Sequence, residues 1–384
     1  MAKIYFIAGE SSGDYIGQQL IQNLGKNISF VGVGGPMMEA SGMEKTLFSI
    51  NKINLMGFVE ILPHIFMINK LIKNTINDIL NHQPDILITI DSPGFTYRVA
   101  KKIRLLLPSL KIIHVVAPSV WAYKPSRAFK YAKVYDCLFA LLPFEPPYFH
   151  KVGLDCRYIG HPILEQKFYH DKSLLKKELQ ITGTLLCVTA GSREGEILKH
   201  LPIFYKTLEI IATKYTDLEV IFVLSNPSHE LLIKQFLLNA NFKYRFSMDR
   251  LKIFAAADIA LAKSGTNTLE IAASRTPMIV AYKLNLLSYW FVKALAKIRF
   301  ISLINIIPNR EILPEFIQFN CTPSILSAAL IKLLSDQQIT EQQIIQSSEI
   351  LSQLGFQSKS CPSLIAAQII KSEFLKKSEI ESSI

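Results

Sequence analysis

Residues Asp258 to Glu270 read DIALAKSGTNTLE, and they reveal more about the architecture than any other part of the chain. The apolar run after Asp258 predicts a buried strand, which stops at a loop of small residues. The residues beyond the loop open a helix through Leu269, Ile271 and Ala272. This order of strand, loop and helix is the building unit of α/β proteins.

The loop in this stretch is a candidate phosphate site, because a helix N-terminus offers unpaired N–H groups and the positive end of a dipole. Gly265 lets the backbone approach a ligand, and hydroxyl donors come from Ser264, Thr266 and Thr268. Glu270 follows about one helical turn later, where a carboxylate can accept hydrogen bonds from ribose. The pattern indicates a nucleotide diphosphate; the alternative is that Ser264 and Thr266 only cap the helix.

Continuous apolar runs recur in both halves of the chain, and such runs are typical of parallel strands covered on both faces. They lie at residues 4–8, 30–33, 85–90, 111–116, 185–189, 218–224 and 278–281. Each half opens with a strand that leads into a Gly/Ser loop, at 8–13 and at 190–193. The sequence therefore predicts an α/β protein with two Rossmann-like domains facing a central cleft. Charged residues crowd between Pro162 and Thr184, which indicates the linker.

The composition narrows the classes of function. The most apolar long run, Leu286 to Ile307, is interrupted by Lys293, Lys297 and Arg299, so no membrane span is expected. Five cysteines without regular spacing favour reduced thiols in a cytosol. The formal net charge of +11 indicates an anionic partner, unless it is only a general excess of lysine. Nucleic acid is the weakest candidate, since no basic cluster or zinc finger is visible.

Two further residues are candidates for chemistry at the ends of strands. Asp91 ends a buried run, where a carboxylate can act as a general base or, alternatively, stabilise the loop. Arg193 follows a Gly-Ser pair, where a guanidinium can take up charge on a departing diphosphate. The alternative for Arg193 is an ion pair with Glu194 or Glu196.

One motif supports a competing function. Residues 9–13 match the Gly-x-Ser-x-Gly elbow of serine hydrolases, with Ser11 as the nucleophile. A hydrolase would also need an upstream strand to carry an oxyanion loop, and the sequence has none before residue 4.

An apolar segment follows later in the first half of the chain. From Ile53 to Asn69 the only formal charge is Glu60, so this stretch either lies on a membrane surface or is buried between domains.

With these motifs in place, the chain resembles the lipid-A-disaccharide synthases, a family of inverting glycosyltransferases of the GT-B type. The resemblance runs from about residue 3 to about residue 325, and the order and spacing of its motifs are highly specific. The motifs are Ala8 to Asp14, Gly34 to Met38, Met56-Gly57 with Glu60, Ala117 to Ala122, Pro143 to Glu145, Gly160 to Pro162, Gly191 to Arg193 with Glu196, Ser264 to Thr266 with Leu269-Glu270, and Ser302-Leu303 with Asn305, Arg310 and Glu311.

The resemblance implies a reaction in which UDP-2,3-diacylglucosamine donates its sugar to the 6-hydroxyl of 2,3-diacylglucosamine 1-phosphate. UDP leaves with inversion, and neither a metal nor a cofactor is implied. Residues 1–165 are then the acceptor-side and membrane-facing domain, and 166–350 the UDP-sugar domain. Residues 351–384 form a C-terminal helix and tail that can pack back on the first domain. The protein is expected in the cytoplasm, bound peripherally to the anionic inner leaflet, without nucleic acid.

The resemblance also assigns roles to residues of this chain. Asp91 is the catalytic base. The UDP site comprises Ser192, Arg193, Ser264, Gly265, Thr266, Thr268, Glu270, Asn305 and Arg310. The acceptor side comprises Glu10, Ser11, Ser12, Gly13, Asp14 and Met56. Contacts with acyl chains or the membrane are assigned to Phe58, Ile61, Leu62, Ile65, Phe66 and Ile68.

The chain departs from the family pattern in one respect that concerns the base. An Asp and an Asn usually follow it, whereas Gly94 and Thr96 stand here, so Asp91 is the only candidate carboxylate and the acceptor geometry can differ. A related enzyme with another lipid-linked acceptor is the nearest alternative function.

Overall fold

The structure is a computed structural model that describes residues 1–53, 65–286, 289–290, 293, 298–356 and 361–375. Its contacts divide the chain into two compact units. Unit 1 comprises residues 1–165 together with the described part of 359–384, and unit 2 comprises residues 166–358, again where described. Each unit is built around one parallel sheet.

Unit 1 has a six-stranded sheet in the order β2-β1-β3-β4-β5-β6. Its strands are β1 (Ala2–Ala8), β2 (Ile28–Val33), β3 (Ile86–Ile90), β4 (Lys111–Val115), β5 (Cys137–Ala140) and β6 (Asp155–Tyr158). The helices between them are α1 (Ser11–Leu24), α2 (Pro36–Ala40), α3 (Ile65–His82), α4 (Pro93–Leu106), α5 (Arg127–Ala132) and α6 (Pro146–His150). The order reverses between β1 and β3, and a reversal of this kind opens a crevice at the carboxyl ends of the two strands.

Unit 2 has a second six-stranded parallel sheet, in the order β12-β11-β10-β7-β8-β9. Its strands are β7 (Leu185–Thr189), β8 (Glu219–Val223), β9 (Lys243–Ser247), β10 (Ile259–Lys263), β11 (Met278–Tyr282) and β12 (Glu315–Ile317). Its helices are α7 (Lys172–Glu178), α8 (Glu194–Lys214), α9 (His229–Lys234), α10 (Arg250–Ala256), α11 (Asn267–Ala273), α12 (Leu303–Ile306), α13 (Pro323–Ser335) and α14 (Gln337–Gln353). This is the strand order of a Rossmann fold, and its switch point lies between β7 and β10.

The C-terminal helix α15 (Pro362–Ile369) belongs to unit 1. Ala366, Ala367 and Ile370 are fully buried in the core that also holds the inward side chains of β1 and β3. The Arg157 guanidinium adds a bidentate ion pair with Glu373. The last described residues of the chain thereby complete the core of the first sheet.

The fold class predicted from the sequence is confirmed, and each of the eight predicted strands is present with its bounds shifted by two residues or fewer. The sequence reading missed β5, β6, β9 and β12, which have between three and five residues each. β5, β6 and β12 have at most four residues, and strands this short give little periodic signal. Within the described residues, no helix combines the length and the apolar character needed to cross a bilayer.

Candidate active site

Asp91 and Ser92 follow β3 at the switch point of unit 1, and both hold left-handed backbone conformations, with φ of 50° and 47°. Three hydrogen bonds fix this turn. The Asp91 N–H donates to the Val115 carbonyl at 3.0 Å, the Ser92 N–H donates to the Asp91 carboxylate at 2.7 Å, and the Thr96 hydroxyl donates to the Asp91 carbonyl at 2.7 Å. Consecutive left-handed residues without glycine are strained, and such strain clusters at functional sites.

The loop after β1 lies against the Asp91 turn. Gly9 faces Ser92 so closely that any side chain at position 9 would overlap the serine side chain. The following residues begin α1, where Glu10 is half-buried and Ser11 and Ser12 are exposed. The structure therefore brings these predicted acceptor-side residues to the same crevice as the predicted base.

Asp14 has a different role from the acceptor contact that the sequence reading gave it. Its carboxylate is 3% exposed and accepts hydrogen bonds from the N–H groups of Gly35, Met37 and Met38 at 2.9, 3.1 and 3.1 Å. Asp14 therefore caps α2, and a side chain at Gly35 would collide with the carboxylate. Gly13 is likewise buried, so both residues support the loop.

An uncharged cluster beside the Asp91 turn escaped the sequence reading. The His114 Nδ1 lies 2.7 Å from the Thr89 hydroxyl, and the ring packs against Tyr131 and Tyr135. Burial, with a smaller contribution from Arg127, lowers the pKa of His114 to about 3. Burial likewise raises the pKa of Tyr131 to about 12. These rings are therefore uncharged near neutral pH. Because they belong to different parts of the fold, their proximity could not be predicted from the sequence.

In unit 2, the loop after β7 places Arg193 at the start of α8. Gly191 has a φ of 141°, which suits glycine, and Ser192 is exposed. The Ser192 N–H donates to Glu196 at 3.2 Å, and the Arg193 Nη1 lies 3.5 Å from the Glu196 Oε1. The ion pair considered as an alternative for Arg193 is thus present, but its geometry is loose.

The loop after β10 presents Gly265 and Thr266 to solvent. The Ser264 hydroxyl donates to the Ile301 carbonyl at 3.1 Å, and the buried Thr268 hydroxyl donates to the Gly265 carbonyl at 2.8 Å. Thr266 occupies the cap position of α11 but makes no side-chain cap bond. The capping alternative is therefore wrong, and two of the three predicted hydroxyls stabilise the loop itself.

Lys263, the last residue of β10, was not predicted as part of the site. Its ammonium lies 2.8 Å from the Glu196 Oε1 and 5.4 Å from the centre of the Tyr282 ring. The Lys263 side chain is only 13% exposed. Burial acts to raise the pKa of Glu196, but Lys263, the Ser192 amide and Arg193 outweigh it, so the pKa is lowered. The loops after β7 and β10 thus share one ionic cluster.

Glu270 lies on α11 with both oxygens engaged. Its carboxylate accepts from the Arg250 Nε at 3.0 and 3.1 Å and from the Gln166 amide at 2.9 Å. The Glu270 side chain is 12% exposed and that of Arg250 is 49% exposed. The carboxylate is therefore fixed in place by donors that a ribose would have to join or replace.

Asn305 and Arg310 occupy different surroundings. Asn305 is fully buried; its amide donates to the Leu313 carbonyl and the Glu315 carboxylate, both at 2.8 Å. Its carbonyl accepts from the N–H groups of Ile312 and Leu313 at 2.8 and 2.9 Å. Asn305 therefore holds a loop, whereas the Arg310 guanidinium is half-exposed.

The chain is related in sequence to known proteins. A sequence profile described as lipid-A-disaccharide synthetase matches residues 4–369. The chain belongs to this family.

Curated relatives carry the same family name. The chain is 62% identical over 380 residues to the lipid-A-disaccharide synthase of Rickettsia felis, covering 98% of this chain and 97% of that protein. It is 60% identical to the lipid-A-disaccharide synthase of Rickettsia prowazekii over 98% of this chain and all of that protein. The family resemblance and the assignment to glycosyltransferase enzymes are confirmed.

Solved structures of the same fold are more distant in sequence. A Staphylococcus aureus MnaA structure with UDP aligns with a TM-score of 0.61 at 15% identity, over 94% of this chain and 98% of that one. A glycosyltransferase of kitacinnamycin aligns with a TM-score of 0.60 at 13% identity, over 96% and 98%. These likenesses concern the fold alone, and they agree with the GT-B architecture.

The hydrolase alternative is not favoured for this member of the lipid-A-disaccharide synthase family. A nucleophile elbow holds its serine on a strained turn. Ser11 instead lies in the first turn of α1 and is not among the described residues with positive φ.

The predicted membrane residues are only partly described. Of these, Phe58, Ile61 and Leu62 lie outside the described residues, as does Met56, which was predicted on the acceptor side. On α3, Phe66 is 85% exposed and Ile65 is half-buried. Ile68 is buried in the core, one helical turn from the buried Leu71.

Proposed function

We propose that the chain transfers 2,3-diacylglucosamine from its UDP derivative to the 6-hydroxyl of 2,3-diacylglucosamine 1-phosphate, with inversion and release of UDP. The observation that carries this proposal is the pair of switch points. One holds a carboxylate on a strained turn, and the other holds two loops joined by the contacts of Arg193 and Lys263 with Glu196. A base and an anion site are the two parts that the reaction requires.

Asp91 acts as the general base in this proposal. Its turn is fixed by hydrogen bonds on both sides, so the carboxylate needs little reorganisation when the acceptor hydroxyl arrives. The carboxylate removes the hydroxyl proton while the oxygen attacks the anomeric carbon in line. Glu10, Ser11 and Ser12 line the same crevice and contact the acceptor.

The diphosphate of UDP binds at the loops after β7 and β10. As the glycosidic bond breaks, the sugar ring gains positive charge and UDP gains negative charge. Arg193, together with the exposed N–H groups of Gly265 and Thr266, stabilises the negative charge. Glu270 accepts hydrogen bonds from the ribose hydroxyls as Arg250 swings aside. Asn305 positions its loop, and Arg310 contacts the donor.

Membrane association is part of the proposal and rests on α3. Phe66 and Met67 are exposed, as are Lys70 and Lys73 on the same helix. Exposed apolar side chains beside lysines suit the surface of an anionic bilayer, where rings enter the interface and ammonium groups meet phosphates. The net charge of +11 acts in the same direction.

The test is UDP release from UDP-2,3-diacylglucosamine with and without 2,3-diacylglucosamine 1-phosphate, in the presence of a chelator. We expect release only when the acceptor is present, together with a disaccharide product. A folded protein that binds UDP but releases none with this acceptor would redirect the proposal to another lipid-linked acceptor. Release without an acceptor, abolished by Ser11→Ala, would favour the hydrolase.

A further inference from the structure

Glu196 is shared by two cations at the switch point of unit 2. Its Oε1 lies 2.8 Å from the Lys263 ammonium and 3.5 Å from the Arg193 Nη1, while its Oε2 accepts from the Ser192 N–H. Two cations therefore converge on one carboxylate, at the place where a Rossmann sheet binds its ligand.

Lys263 is the member of this cluster nearest to the loop after β10. Its ammonium would lie 3.9 Å from a methyl group built on Gly265, so it sits over the exposed part of that loop. Asn267 ties the same loop to β7 through a 2.6 Å hydrogen bond to Thr189. The ammonium therefore lies between two loops whose spacing is fixed.

Stabilisation of the fold is a poor explanation for the ion pair between Lys263 and Glu196. Taking two charges out of water costs about as much as their attraction returns, so a largely buried pair is weak support for a fold. A lysine also carries its charge on a flexible stem, which lets the ammonium turn from one anion to another without moving the backbone. An anionic ligand at the Gly265 loop would offer such a second anion.

We propose that Lys263 is a second diphosphate-binding cation, which Glu196 holds in place until the donor arrives. This inference rests on the proposed function, since it requires UDP at these loops. When the diphosphate binds, the ammonium of Lys263 transfers its hydrogen bond from Glu196 to a phosphate oxygen. Because UDP carries more negative charge after the sugar leaves, Lys263 contributes more to the transition state and the product than to donor binding.

The test compares two variants that break the same ion pair. Calorimetric titration with UDP and with uridine is carried out on the unaltered protein, Lys263→Met and Glu196→Gln, with thermal unfolding as a check on folding. We expect Lys263→Met to weaken UDP binding about 10- to 100-fold and to leave uridine binding unchanged, as for the loss of one charged hydrogen bond. Glu196→Gln should bind UDP at least as tightly as the unaltered protein, and Lys263→Arg should recover most of the affinity.

The possible outcomes separate this inference from the proposed function. Equal losses of UDP affinity in Lys263→Met and Glu196→Gln would make the ion pair merely structural and overturn the role of Lys263. Unchanged UDP affinity in a folded Lys263→Met protein would overturn it as well. If the unaltered protein failed to bind UDP, the proposed function would fail and the inference with it.

Discussion

The two sheets present opposite surroundings at their switch points. In unit 1, strained backbone at Asp91 and Ser92 lies near a buried cluster that is neutral, with His114 kept from protonation by burial. In unit 2, the positive φ falls on a glycine, Gly191, and the side chains form an ionic cluster around Glu196. The proposed base needs a fixed direction, whereas the proposed diphosphate site needs cations. In the proposed mechanism, the difference separates proton removal from charge stabilisation.

The pKa shifts of two carboxyl groups, one in each unit, illustrate the same contrast. Glu145 in unit 1 accepts three hydrogen bonds, from Trp121 Nε1 and the N–H groups of Leu141 and Leu142. Burial nevertheless raises the pKa of Glu145 to about 7. The pKa of Glu196, which is only partly buried, is lowered because two cations face it. Charged partners and the degree of burial both distinguish the two sites.

The largest expected effect comes from Asp91→Asn. Asparagine keeps an oxygen for the Ser92 N–H and tolerates a left-handed backbone, but it cannot accept the acceptor proton. We expect kcat to fall about 1,000-fold, within the range of general-base removal, while UDP affinity stays unchanged. Steady-state kinetics and UDP calorimetry measure both. An active variant would remove unit 1 from the chemistry.

Asn305→Ala tests whether the loop of unit 2 that holds Asn305 depends on this buried side chain. Four hydrogen bonds are lost, so we expect the free energy of unfolding to fall by about 3 kcal/mol. The neighbouring Arg310→Ala is the control, because a half-exposed side chain costs under about 0.5 kcal/mol. Denaturant unfolding measures both. Normal stability in Asn305→Ala with lost UDP affinity would instead put its amide against the ligand.

A double-mutant cycle tests the strained turn of unit 1. A methyl group at Gly9 would overlap Ser92, so Gly9→Ala should destabilise the protein by about 2 kcal/mol. In a Ser92→Gly background the obstacle is gone, and the buried Ser92 hydroxyl that is lost has no hydrogen-bond partner among the described residues. We expect a coupling energy of at least about 1 kcal/mol from urea unfolding. Simple additivity would show that the loop and the turn do not press on each other.

The smallest effect concerns pH and Glu145. Its folded carboxyl keeps a proton between its ordinary pKa of 4.5 and about 7, whereas the unfolded carboxyl has lost it. The free energy of unfolding therefore falls as pH rises through that interval. Relative to Glu145→Gln, the unaltered protein should lose about 1 to 2 kcal/mol between pH 5 and pH 8. A pH-independent difference between the two would mean that burial does not raise the pKa of Glu145, and a difference of opposite sign would mean that its pKa is lowered, as for Glu196.

The sequence carried the fold because continuous apolar runs and Gly/Ser loops depend only on local order. The missed strand β9, Lys243–Ser247, alternates polar and apolar residues, which is a signal of a half-covered strand that could have been recognised. β12 has three residues and little pattern of its own. Short strands at a sheet edge depend on pairing with their neighbours more than on their own sequence.

The residues of the candidate site could be predicted only where a sequence motif contains them. Asp91, Arg193 and the Gly265 loop lie directly after strands, so their position follows from the pattern. The side chains of Asp14 and Asn305 bond to backbone groups of Gly35 and Ile312, which lie outside their own motifs and could not be predicted from them. Lys263 could not be found without the structure, because its partner Glu196 lies on a helix that follows another strand.

The central claim is that UDP binds at the switch point of unit 2 and not at that of unit 1. Amide hydrogen exchange with and without UDP tests it most directly. We predict slower exchange in peptides that cover residues 190–197 and 263–270, with no change in those that cover 9–14 and 91–96. Slower exchange confined to the loops of unit 1 would contradict the division of the chemistry between the two sheets.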